Sequence, residues 1–199
     1  MGQTPESDTA CTGWDNGTCT GTPHCPPRCP RFFDAEGDPV LITPFEDADF
    51  AALVSMYAAF PAGERTSSLP PPTRDAIVDW LGLITEDGWN LLARIDDRVV
   101  GHAAVTPAAA DTPEFVIFVD DSYQGRGIGT EMVKQLVAYA AADGHEVLCL
   151  SVERTNERAI SVYENISFEI TDEAMATIAM RLSLDKPIAE DVQRPPAKR

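Results

Sequence analysis

The stretch Phe118–Val133, FVDDSYQGRGIGTEMV, decides how the chain is read. An apolar run, Phe115–Val119, passes through a polar turn into Gln124-Gly125-Arg126-Gly127-Ile128-Gly129. Helical spacing begins at once, with Ile128, Met132, Leu136 and Ala140 on one face. Glycines at alternate positions leave backbone N–H groups uncovered beside the positive end of that helix. Such a loop suits an anion, most naturally a phosphate or pyrophosphate. No Gly-Lys-Ser/Thr follows, so it is not the nucleotide P-loop, and the spacing does not fit G-x-G-x-x-G. The alternative is a turn kept glycine-rich only for close strand–helix packing.

Elements follow outward from this loop. Gly144 suits a left-handed cap ending the helix, and Glu146–Val152 (EVLCLSV) is the next buried strand. The two strands and their helix form a βαβ crossover, which is right-handed and sets the strands parallel. Upstream, Pro39–Thr43 reads as a strand and Phe45–Phe60 as a helix with Phe50, Leu53, Val54 and Tyr57 at helical spacing. A loop, Pro61–Pro72, leads to a helix that Thr73 can N-cap. Trp89–Ile95 and Val99–Val105 form an antiparallel hairpin. Downstream come a helix from about Asn156 to Asn165 and two strands near Phe168–Ile170 and Ala176–Leu184. The order β-α-α-β-β-β-α-β-α-β-β implies an α/β fold, a mixed sheet flanked by helices.

The chain has 199 residues and a formal net charge of −17. That charge argues against nucleic acid and anionic membrane surfaces as partners. Lysine occurs only at 134, 186 and 198. An acidic excess with so little lysine points to a high-salt cytoplasm, an ordinary acidic protein being the alternative. No apolar run reaches transmembrane length, and MGQTPESD lacks the pattern of a secretory signal, so a cytoplasmic protein is expected.

Residues 1–37 stand apart as a Cys/Pro/Gly-rich extension, 38–184 carry the domain, and 185–199 read as a charged tail. Cys11, Cys19, His24, Cys25 and Cys29 could hold zinc, but they lack paired C-x-x-C knuckles. A disordered or loosely docked extension is favoured over a metal site, and over disulfides in a reducing compartment.

The segment VDDSYQGRGIG (119–129) resembles the signature of the GCN5-related N-acetyltransferase (GNAT) family: Gln or Arg, two residues, Gly, any residue, then Gly or Ala. A second element, SVERTNERAISVYENISF (151–168), resembles that family's L-x-V-x-x-x-N-x-x-A-x-x-x-Y-x-x-x-G-F, matching at Asn156, Ala159, Tyr163 and Phe168. Ser167 stands where the family has Gly. Val99-Val100-Gly101 also resembles a family hairpin. Locally, PEFVIFVDDSYQGRGIG (113–129) is similar to Pat-type protein lysine acetyltransferases.

The resemblance implies transfer of an acetyl group from acetyl-coenzyme A (acetyl-CoA) to an amine. It places the pyrophosphate on the N–H groups of Gln124, Gly125, Arg126, Gly127, Ile128, Gly129 and Thr130. The pantetheine would pair with the edge of Ile117, Phe118 and Val119, and Asn156 would contact the cofactor or cap its own helix. Tyr163 would serve as acid toward the leaving thiolate, its alternative being a core aromatic. Glu114 would serve as base, its alternative being a solvated acid at a strand entrance. Pro61–Pro72 and Thr106–Pro113 would wall the acceptor groove. No resident metal is expected, and the acceptor is open between a protein lysine, a protein N-terminus and a small amine. A homodimer is compatible with this reading. The rival functions are a non-catalytic acyl-CoA-binding module and a zinc-stabilised interaction protein. His102 reads as a satisfied strand residue, His145 as solvated, and Cys149 as a buried small hydrophobe.

Overall fold

A computed structural model describes residues 11, 13–60 and 70–199. Within them, β1 (Arg31–Phe33), β2 (Pro39–Pro44), β3 (Trp89–Ile95), β4 (Arg98–Thr106), β5 (Glu114–Val119), β6 (Val147–Glu153), β7 (Glu169–Glu173) and β8 (Thr177–Ser183) build one sheet. The strand order is β1-β2-β3-β4-β5-β6-β8-β7. Every neighbouring pair is antiparallel except β5 and β6. Among the described residues five α-helices accompany the sheet: α1 (Phe50–Ala58), α2 (Arg74–Glu86), α3 (Ile128–Ala142), α4 (Glu157–Asn165) and α5 (Pro187–Gln193).

The sheet separates two cores. Phe115 packs with Ile128, Met132 and Leu136 of α3 and with Tyr163 of α4, and Ile117 and Val119 lie against this core. Leu53, Val54 and Tyr57 of α1 and Ile77 and Leu81 of α2 form the other core with Leu92 and Ala104, flanked by Val116 and Phe118. Alternation along β5 therefore sends odd residues toward α3 and α4, and even residues toward α1 and α2. Thr73 caps α2 by accepting from the Ala76 N–H, as its sequence position suggests.

The order read from the sequence is present, with one element added at each end. Arg31–Phe33 is a strand paired with β2, and the stretch read as a charged tail contains α5, whose Ala189 and Val192 are buried. The described residues 13–37 are also more closely docked than a disordered or loose extension would be. Arg28 is buried, paired with Glu131 of α3 (2.5 Å) and donating to the Val192 carbonyl (2.6 Å). Gln135 donates to the Cys29 carbonyl (2.8 Å), and the Ala197 N–H to that of Cys19 (3.0 Å). These polar anchors have no hydrophobic periodicity to announce them.

The five cysteines are free thiols, and no three His, Cys, Asp or Glu ligands converge among the described residues. Cys19 and Cys25 instead accept from the nearby N–H groups of Gly21 (3.4 Å) and Thr22 (3.3 Å), and Cys29 from Asn16 (3.4 Å). A zinc site shared by Cys11, Cys19, His24, Cys25 and Cys29 is thus not formed. No helix among the described residues is long and apolar enough to cross a membrane.

Candidate active site

At the carboxyl end of β5 the Asp120 side chain accepts from Ser122 N–H (3.0 Å) and from Arg98 (2.7 Å), shaping the turn into the glycine loop. Gly125 and Gly127 adopt φ of 79° and 85°, which side chains disfavour, and Gly127 is the N-cap of α3. The first-turn amides of α3 have no acceptor within the helix. They border a cavity of about 370 Å³ lined by Ile117, Val119, Gln124, Gly125, Gly127, Ile128, Gly129, Thr130, Asn156 and Tyr163, all expected from the sequence.

Two expected cofactor residues direct their side chains elsewhere. Phe118 lies on the other face of the sheet, its ring 5.3 Å from that of Tyr57 and 6.1 Å from that of Trp80. Arg126 turns back onto the β1–β2 hairpin, meeting Asp34 (2.7 Å) and Asp38 (2.5 Å), with its guanidinium 4.9 Å from the Tyr123 ring centroid. The Phe118 backbone also faces away, toward its partner His102 on β4, and the Arg126 carbonyl accepts from Ala35 N–H (3.0 Å), so of the two only the Arg126 N–H is left for the cavity.

Arg158 lines the cavity and was missed. Its guanidinium lies 3.0 Å from where a Cβ on Gly125 would stand, so a cation adjoins the glycine loop. The signal was present in its spacing, two residues after Asn156 on the same short helix.

Tyr163 is 7% exposed, set edge-on between Phe115 (5.8 Å) and Phe168 (5.9 Å). Burial pushes its phenol up to about 12. Asn156 caps α4 by accepting from Ala159 N–H (3.1 Å), and it also lines the cavity, so both readings of it coexist. Ser167 takes a left-handed φ of 72°, which explains the family's Gly; serine here costs about 1 kcal/mol.

A single register pair, Glu114↔Cys149, joins β5 to β6, whereas six join β4 to β5 and seven join β6 to β8. Beyond Glu114 the parallel strands part. The cavity occupies the α3/α4 side of that opening, and alternation puts Glu114, which is exposed, on the opposite side. Cys149 also lies on the Glu114 side and is half-buried rather than fully enclosed; burial, countered by Arg181 and reinforced by Glu114, raises its thiol pKa.

His102 is fully buried and satisfied. Asn90 donates to the Ile84 carbonyl (3.0 Å), which leaves its Oδ1 to accept from His102 Nε2 (2.8 Å). The other ring nitrogen then accepts from the Tyr57 hydroxyl (2.7 Å). Burial lowers the His102 pKa to about 3. His145 is not solvated as expected: its side chain is 15% exposed and lies 3.6 Å from Asp143. The turn Thr106–Pro113 is tied to the end of α2 by Ala108 N–H donating to the Asp87 carbonyl (3.1 Å), while residues 61–69 of the other expected wall lie outside the described residues.

A profile described as the Acetyltransferase (GNAT) family matches residues 51–168. The chain belongs to that family. An uncharacterised Mycobacterium leprae protein is 37% identical over 140 residues, covering 68% of this chain and 36% of its own length. A ribosomal protein bS18-alanine N-acetyltransferase of Salmonella typhimurium is 32% identical over 79 residues, 40% of this chain and 53% of that one. The chain thus spans about a third to a half of these relatives. The Salmonella typhimurium protein yncA, solved with its cofactor acetyl-CoA, superposes with a TM-score of 0.61 at 20% identity, covering 74% of this chain and 95% of that one. This GNAT chain therefore has the family's fold as well as its motifs.

Proposed function

We propose that the protein is an acetyl-CoA-dependent N-acetyltransferase acting on a primary amine. The observation that carries this reading is the opening between β5 and β6, with a phosphate-type cradle on one face and a carboxylate, Glu114, on the other. A thioester entering from the cradle and an amine entering from the Glu114 side meet at the same gap.

First-turn amides of α3 and the Arg158 guanidinium take the pyrophosphate. Backbone groups of Ile117 and Val119, which face away from β4, bind the pantetheine amides as an added strand would. An alkylammonium has a pKa near ~10.4, so Glu114 takes a proton from it, directly or through water, to free the attacking lone pair. The amine nitrogen then bonds the acetyl carbon and gives up its second proton to water as the carbon–sulfur bond breaks. Tyr163 stays protonated at neutral pH and donates a hydrogen bond to the departing sulfur. Full proton transfer from a phenol of about 12 to a thiolate of about 8.5 is uphill, so water completes it. This narrows the acid role read from sequence to hydrogen-bond donation. The setting is cytoplasmic, in keeping with five free cysteines.

The test is thiol release from acetyl-CoA in high-salt buffer against polyamines, amino acids, and lysine- or N-terminal peptides. Amine-dependent release with acetylated product is expected. Tight coenzyme binding without release from any acceptor would contradict the transferase reading.

A further inference from the structure

The register aligns Thr106, Glu114, Cys149, Arg181 and Glu169 in one row across β4, β5, β6, β8 and β7. Glu114, Cys149 and Arg181 share a face, because their chain neighbours Phe115, Leu148, Leu150, Met180 and Leu182 lie in the core on the other side. Among the described residues helices α1 and α2 rest on β3 and β4, and Ser151, Glu169 and Arg181 on the outer strands are exposed. Two strand spacings of about 4.8 Å put the Glu114 and Arg181 backbones about 10 Å apart, a gap that their long side chains narrow.

Arg181 has no ion pair or side-chain hydrogen bond among the described residues. Its opposite number on β7, Glu169, is held by Lys186 at 2.7 Å. Arg28, Arg94, Arg98, Arg126, Arg154 and Arg194 all meet acids. In a chain of net charge −17, an unpaired arginine beside the base is a fixed attraction for an anion.

We propose that Arg181 binds a carboxylate on the acceptor, whose amine faces Glu114. The acceptor is then an amino acid or a peptide beginning with an acidic residue, not a polyamine. This rests on the transferase reading above and adds the acceptor's chemistry to it. A guanidinium fork matches a carboxylate in geometry as well as charge, and an amide in that place would lack the charge.

The experiment measures kcat/KM of the full chain for free amino acids, the matching amino acid amides, and peptides beginning with Asp or Ala. Acids are expected to exceed amides by about 10- to 100-fold, and Asp-peptides to exceed Ala-peptides likewise if the peptide is the source. Arg181→Gln should abolish that preference through KM while moving the amides by less than about threefold, and Arg181→Lys should restore part of it. No preference in the wild type, or equal losses on acids and amides in Arg181→Gln, overturns the proposal. If no acceptor is turned over, the transferase reading has failed. Calorimetric binding of acid against amide with coenzyme A present then decides Arg181 alone. Carboxylate-dependent binding lost in Arg181→Gln upholds it, and its absence refutes it.

Discussion

Arg126, in the middle of the glycine loop, is locked to Asp34 of the β1–β2 hairpin, its Nε 2.7 Å from a carboxylate oxygen whose side chain is fully buried. The Ala35 N–H also donates to the Arg126 carbonyl (3.0 Å), so the hairpin grips the loop by side chain and backbone. Burial alone would raise the Asp34 carboxyl, but hydrogen bonds from Asp38, Arg126 and Glu36 hold it below its ordinary value. Asp34→Asn leaves the guanidinium short of its buried partner and frees the loop. Coenzyme A affinity should fall about tenfold, roughly 1.4 kcal/mol, as read by calorimetry. Unchanged affinity would show that the loop holds its shape without the hairpin.

Gly127 offers a cleaner probe of the phosphate cradle. An added Cβ there meets nothing within 4 Å, so substitution acts through the left-handed φ and through charge. Gly127→Ala should cost coenzyme affinity about tenfold from backbone strain of 1–2 kcal/mol. Gly127→Glu should cost roughly a hundredfold or more by repelling pyrophosphate, and added salt should reduce the difference. Equal effects of the two substitutions would argue against an anion at the loop.

Tyr163→Phe removes the hydroxyl but keeps the aromatic packing with Phe115 and Phe168. Turnover should drop by about a hundredfold or less, because a thiolate already leaves readily. The coenzyme dissociation constant should barely move. A normal kcat would remove Tyr163 from the chemistry.

His102 gives the fold a pH dependence of known sign. Burial lowers its pKa from about 6.5 in the unfolded chain to about 3, so the unfolded state takes up the proton first as pH falls. The stability this provides is intact above about pH 6.5 and is lost progressively toward pH 3. Between pH 7.5 and 5 the loss should be about 2 kcal/mol in urea unfolding. His102→Leu should be less stable at pH 7.5, with the Tyr57 hydroxyl and Asn90 Oδ1 left without their His102 partner, and should show a flatter profile. An unaltered slope in the variant would mean that other groups set it.

Most of the fold was legible because its signals are local. Strand periodicity, Thr73 as a cap and the glycine loop each act within a few residues, and so they survive without three-dimensional context. The docking of the chain ends was not legible, since it depends on single polar anchors such as Arg28 with Glu131, 103 residues apart. At the site, the motif located the loop, but it could not say that Arg126 faces Asp34 while Arg158 faces Gly125. Both are arginines near glycines, and only the hairpin's position tells them apart. Arg181 lay within a strand with no motif around it. Its pairing with Cys149 across β6 and β8 exists only in the folded register.

The measurement that bears most directly on direct transfer between the two faces is the initial rate with acetyl-CoA and amine both varied. Intersecting reciprocal plots are expected, together with retained activity in Cys149→Ala, because the amine attacks with both substrates bound. Parallel plots, with acetyl trapped on Cys149 beside Glu114, would contradict the arrangement.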